Sequence, residues 1–141
     1  MVRKTVLDTD TLSEIYKSRN QKILDRAEDY LATFEQLTFT SVTASELLFG
    51  LYAKDAKQQI ERARTFLKAN EELVPTSADY WLLAEINAAV RRTGRPIGDG
   101  DTMIAACVIN RGLILATGNT KHYQFVIDSG FPLEIENWKT T

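Results

Sequence analysis

Short apolar runs alternate with longer stretches whose apolar residues recur every three or four positions. Thr5-Val6-Leu7 is the first run, and its composition predicts a buried strand. Asp8-Thr9-Asp10-Thr11 follows as a loop that caps a short helix through Leu12, Ile15 and Tyr16. Ile23, Leu24, Ala27, Leu31 and Phe34 give residues 20–34 helical spacing, with Asp25, Arg26, Glu28 and Asp29 largely on the other side. Residues 37–42 are β-branched and aromatic and predict a second strand. Thr43 is expected to cap a helix over residues 44–53, with Glu46 at capping-box spacing. Residues 57–69 form another amphipathic helix, and residues 72–74 a brief strand stopped by Pro75. Ser77 is expected to cap a long helix that ends at Gly94.

Residues 95–106 organise the rest. Pro96, Gly98 and Gly100 break the chain, Asp99 and Asp101 intervene, and an apolar, Ala-rich helix runs on to Arg111 and stops at Gly112. Residues 113–117 are the clearest buried strand. A turn at Gly118-Asn119-Thr120 leads into a short helix through Tyr123 and Phe125, and residues 133–138 alternate as an edge strand. Strands separated by helices predict an α/β fold, a mostly parallel sheet with helices on both faces. In such a sheet the carboxyl ends of the strands share one edge, where ligands bind. Asp8 and Asp10 follow the first strand and Glu46 lies one helical turn beyond the second. Thr117 and Asn119 follow the strand at 113–117, and Asp101 opens the helix before it.

Each acid alone is explained by helix capping. Together at one edge they repel unless a cation sits among them. A carboxylate cluster with Asn and Thr nearby, and without His or Cys, suits Mg²⁺ or Mn²⁺ better than Zn²⁺. Such a site supports phosphate chemistry, the ion activating water and clamping phosphoryl oxygens.

Composition narrows the classes. The 141 residues suit one domain with a real core, and 44% hydrophobic with 26% charged residues is ordinary for a soluble globular chain. No apolar run is long enough to span a bilayer, and the start lacks the shape of a signal peptide. The single cysteine, Cys107, has no intramolecular disulfide partner and fits a reducing cytoplasm. A formal net charge of -2 gives no global attraction to nucleic acid. A local patch remains: Arg91, Arg92 and Arg95 run toward the acidic edge, where they either hold RNA phosphates or form a solvated helix end. Trp81, Trp138 and Cys107 are expected to be packing residues, and His122 a solvent-facing helix residue.

Two resemblances follow from the motifs. Val6-Leu7-Asp8-Thr9-Asp10-Thr11-Leu12 and Ile97-Gly98-Asp99-Gly100-Asp101 are similar to the first and last motifs of haloacid-dehalogenase-type phosphatases. That reading makes Asp8 an aspartyl-phosphate nucleophile, but the last motif should follow an apolar strand and Glu46 is left without a task. Five segments in order resemble the PIN-domain family, in particular VapC-type toxin ribonucleases. They are Leu7-Asp8-Thr9-Asp10, where the family commonly has Asn at the last position; Ser41 through Glu46 to Gly50; Gly94 through Pro96-Ile97-Gly98 and Asp101 to Ala106; Thr117 and Asn119 to Tyr123, with Tyr in place of the family's Phe; and Ile135-Glu136-Asn137-Trp138.

That resemblance implies a single PIN-like domain over residues 1–141, a three-layer α/β/α sandwich. It makes Asp8, Glu46 and Asp101 the metal-binding acids, and Asn119 stands at the family's fourth polar or acidic position. Asp99 becomes an auxiliary ligand, and Thr9, Asp10 and Thr117 supporting groups. The implied activity is Mg²⁺- or Mn²⁺-dependent cleavage of RNA to 5′-phosphate and 3′-hydroxyl ends. The implied partners are a VapB-type antitoxin laid over the acidic edge, in a hetero-oligomer, and a second copy of the chain. A PIN-like protein that binds RNA without cutting it is the non-enzymatic alternative.

Overall fold

The structure is a computed structural model and describes residues 1–140. Its elements in chain order are β1 (Thr5–Leu7), α1 (Thr9–Tyr16), α2 (Gln21–Phe34), β2 (Thr38–Thr40), α3 (Ser41–Ala53), α4 (Lys57–Lys68), β3 (Glu71–Leu73), α5 (Ser77–Arg92), α6 (Asp99–Arg111), β4 (Ile114–Ala116), α7 (Thr120–Asp128) and β5 (Glu134–Glu136).

Every ladder is parallel. β4 lies between β1 and β5, with Val6 opposite Leu115 and Leu115 opposite Ile135. β2 pairs with β3, Phe39 opposite Glu72, and packs beside β1. Strands β1, β2 and β4 are wholly buried, whereas β3 and β5 at the margins are partly exposed. That is the pattern of a parallel sheet covered on both faces.

Strand side chains alternate between the two faces. Val6 and Leu115 join a core with Ile86 and Val90 of α5, Ile104 and Val108 of α6, and Val126 of α7. Leu7 and Ala116 point the other way, toward Leu12 of α1, Ile23 and Tyr30 of α2, Leu47 of α3 and Leu67 of α4. The result is the expected α/β/α sandwich. Residues 102–108 of α6 are buried without interruption, so the middle of this helix is covered on all sides while its polar ends reach the surface. Burying one side chain such as Ile104 contributes about 1.5–3 kcal/mol. Gly112 ends the helix at φ 63°, a left-handed position that suits glycine.

A buried ionic staple joins α5 to α6. The Asp79 carboxylate accepts from the Thr76 N–H (2.8 Å), the Asn110 amide (2.8 Å) and Nη1 of Arg111 (3.1 Å). Burial works to raise the Asp79 carboxyl, but these donors and the guanidinium charge outweigh it and hold it below its ordinary value.

Three expectations are corrected. Thr43 does not cap α3: the Thr40 hydroxyl accepts from the Thr43 N–H at 3.4 Å, so the helix starts at Ser41 and Glu46 is no capping-box partner. Thr76, not Ser77, caps α5, because Asp79 reaches back to its backbone N–H. Trp81 is 76% exposed beside exposed Tyr80, on the outer side of α5. Trp138 and Cys107 are buried, as expected. Burial pushes the Cys107 thiol up to about 12. No helix among the described residues is long and apolar enough to cross a membrane.

Candidate active site

The sheet fixes the first acid. The Asp8 N–H bonds the Ala116 carbonyl (3.0 Å) and the Thr117 N–H bonds the Glu136 carbonyl (2.9 Å), so the parallel pairing runs on past β1 and β4. This sets Asp8 and Thr117 side by side. The Thr117 hydroxyl donates to Asp8 Oδ2 at 2.6 Å and accepts from the Asn119 N–H at 2.9 Å. Asp8 Oδ1 caps α1 by accepting from the Thr11 N–H at 2.8 Å. Asp8 is only 6% exposed. Burial therefore pushes its carboxyl above the ordinary range; the donors from Thr117 and Thr11 oppose that rise, and the charge of Asp10 adds to it. Asp10 itself is exposed in the first turn of α1.

Glu46 comes from α3. Thr9 donates to Glu46 Oε1 at 2.5 Å, and the Thr9 and Thr43 hydroxyls are 3.2 Å apart. Glu46 Oε2 rests against the backbone of α6, where a Cβ built on Gly100 would stand 3.1 Å from it. Gly100 is thus the gap through which α3 presents its carboxylate to the first turn of α6.

Asp99 and Asp101 occupy that first turn, where the helix dipole favours negative charge. Asp101 Oδ1 accepts from the Tyr123 hydroxyl at 3.3 Å. Its Oδ2 lies 3.8 Å from Nδ1 of His122, which in turn sits 2.9 Å from the Asn119 amide. Asp99 turns toward α5 and accepts from Asn87 at 3.0 Å.

One buried group senses all three principal acids. The Tyr123 hydroxyl is pushed well above its ordinary value, first by burial and then by the charges of Asp101, Asp8 and Glu46. Glu46 links the other two acids through their neighbours in the chain: it accepts from Thr9, next to Asp8, and abuts Gly100, next to Asp101. Among the described residues no Lys or Arg forms an ion pair with any of them; His122 is the basic side chain nearest Asp101.

Such a donor set, oxygen throughout and uncompensated in charge, fits Mg²⁺ or Mn²⁺. Among the described residues no three His, Cys, Asp or Glu side chains stand close enough to enclose an ion by themselves. Mg²⁺ does not need such a cage, because it is held by one or two carboxylates and keeps several waters.

The profile of the PIN domain matches residues 5–127. The chain belongs to the PIN domain family. This PIN domain is 29% identical over 127 residues to the tRNA(fMet)-specific endonuclease VapC of Shigella flexneri, covering 87% of this chain and 92% of that one. It is 25% identical over 134 residues to ribonuclease VapC1 of Haemophilus influenzae strain R2866, covering 94% and 96%. Among solved structures it matches DNA-bound VapBC from Salmonella typhimurium with a TM-score of 0.79 and 25% identity, covering 97% of this chain and 99% of that one.

The phosphatase pattern fails, as expected: Ile97 and Gly98 lie in the link from α5, Asp99 to Asp101 open α6, and no strand stands directly before them. Several details of this PIN domain differ from the sequence expectation. Of the three arginines, Arg91 shares a cleft with a candidate acid, a space of about 350 Å³ lined by Asn87, Val90, Arg91, Pro96, Ile97 and Asp99. Arg95 lies over the Phe125 ring at 5.4 Å, and Arg92 is exposed at the end of α5. Thr9 donates to Glu46. His122 is half exposed, yet it engages Asn119 beside Asp101. Gly100, Asn87 and the Tyr123 hydroxyl were not singled out in the sequence; for the last, the Tyr at a Phe position was the available signal.

Proposed function

We propose that this PIN domain is a Mg²⁺- or Mn²⁺-dependent endoribonuclease, the toxin of a VapBC-type toxin–antitoxin pair, with the 141 residues acting as one domain. The observation that carries the reading is how α1, α3 and α6 meet: Thr9, next to Asp8, bonds Glu46, and Glu46 abuts Gly100, next to Asp101, with no Lys or Arg among the described residues in an ion pair with any of the three acids. The likeness to VapC proteins named as ribonucleases supports RNA as the substrate.

Asp8, Glu46 and Asp101 would hold the ion, with Asp99 auxiliary and Asn119 acting through water. A dication bound there supplies Lewis acidity to the phosphodiester and lowers the pKa of water. The chain supplies the rest. Thr117 and Thr11 fix both oxygens of Asp8, so its orientation costs nothing further on binding. Thr9 holds Glu46 toward α6. Arg91, across the cleft from Asp99, receives a backbone phosphate of the RNA. The partner is a VapB-type antitoxin that covers the acidic edge, as the likeness to VapBC supports. The assembly is a toxin–antitoxin hetero-oligomer built on a toxin homodimer, in the cytoplasm.

The test is Asp101→Asn, assayed for RNA cleavage with Mn²⁺ and with EDTA. Cleavage falls at least about a hundredfold in the variant, on the scale of losing one charge-stabilising group, and stops in EDTA. Wild-type cleavage in either case rules the reading out. RNA binding by the unaltered protein with no cleavage at any Mn²⁺ concentration would favour the non-cleaving alternative.

A further inference from the structure

The hydroxyl of Tyr123 reaches the acidic edge from the protein core. Its ring belongs to the core formed with Val126, Ile104 and Val6, and the residue is 1% exposed. α7 therefore presents the phenol from inside the protein, with its O–H directed at Asp101. Asp101 Oδ1 accepts from it at 3.3 Å. His122, the other basic or donor side chain near Asp101, is 3.8 Å from Oδ2, beyond hydrogen-bond reach.

Asp101 needs such a support. Its side chain is one-third exposed and lies in the first turn of α6, whereas both oxygens of Asp8 are already tied by Thr117 and Thr11. Hydrogen bonds to a ligating carboxylate orient it and tune its affinity for the ion. We propose that Tyr123 is a positioning residue: its hydroxyl holds the Asp101 carboxylate in the orientation that receives the divalent cation. This rests on the metal-dependent reading above and adds a residue to it.

Tyr123→Phe removes one oxygen and keeps the ring. Two measurements on purified protein without RNA decide the matter: Mn²⁺ affinity by calorimetry, and the side-chain carboxyl ¹³C resonances before metal is added. The expected results are an affinity about tenfold weaker, a displaced Asp101 resonance, and an Asp8 resonance that stays in place. An Asp101 resonance that does not move overturns the proposal. Equal Mn²⁺ affinity in the wild type and the variant overturns it while leaving the metal-dependent reading intact. A wild-type protein that binds no Mn²⁺ overturns both. A weaker affinity with Asp8 and Asp101 displaced alike, and a lowered melting temperature, assigns Tyr123 to core packing and also overturns it.

Discussion

Gly100→Ala separates stability from activity in this site. In a helix interior Ala is favoured over Gly by about 1 kcal/mol, and by less in a first turn. Against that gain, the new Cβ would stand 3.1 Å from Glu46 Oε2, where ordinary contacts begin at 3.4 Å, so the carboxylate must withdraw by a few tenths of an ångström. Withdrawal strains the 2.5 Å bond from Thr9. Glu46 is exposed to solvent, so that bond contributes only about 1 kcal/mol. The two effects nearly cancel, and the melting temperature should stay within about 4 °C of wild type. Activity has no such compensation. Misplacing a catalytic group by about 1 Å can cost a hundredfold, so a shift of a few tenths predicts roughly a tenfold loss of RNA cleavage. The assay is initial cleavage rate at saturating Mn²⁺, run beside a thermal melt. Gly112→Ala is the control: its φ of 63° makes Ala cost about 1–2 kcal/mol, but it lies at the far end of α6 from the acids, so the folded fraction should cut normally. Wild-type cleavage by a fully folded Gly100→Ala protein would show that Glu46 needs no fixed position, and the reasoning would fail.

Two further outcomes concern buried acids of opposite character. Asp8→Asn should raise the melting temperature of metal-free protein at neutral pH while abolishing cleavage, since it removes an ionised carboxylate that burial disfavours. Because the folded-state value of Asp8 is raised, wild-type stability falls as pH rises from the ordinary aspartate range through that value; melts across pH should show the advantage of the variant closing in acid, and an advantage independent of pH would contradict the assignment. Asp79→Ala should cost about 2–4 kcal/mol by urea denaturation, because it strands Arg111 and removes the link between α5 and α6. The folded-state value of Asp79 is lowered, so its contribution is present above the ordinary aspartate range and is lost as pH falls through the lowered value; a deficit that does not shrink in acid would exclude the ionic origin.

The strand-to-acid junctions were legible because they are local. Thr5–Leu7 is apolar, Asp8 follows, and a parallel sheet puts strand exits on one edge. Gly112 marked the end of α6 for the same reason, since only the chain's own dihedral is involved. Caps were harder. Thr40, Ser41 and Thr43 all have a hydroxyl suited to the task, as do Thr76 and Ser77, and spacing alone does not choose among neighbours; the end of the β2–β3 ladder decides the first and the bond from the Thr76 N–H to Asp79 the second. The contacts made across elements were hidden for a different reason. Thr9 to Glu46 spans 37 positions, and the reach of Tyr123 to Asp101 depends on how α7 seats on α6. Trp81 misled because a large apolar side chain on a helix carries no sign of which side that helix buries.

The lone thiol offers a clock for the helix that bears the acids. Cys107 lies six positions beyond Asp101 on α6, fully shielded, and with its sulfur titrating at about 12 almost none of it is thiolate at neutral pH. Alkylating reagents therefore react only when α6 opens. The rate of a single labelling event counts those openings, and a bound ion or antitoxin that clamps the helix would slow the count without any engineered reporter.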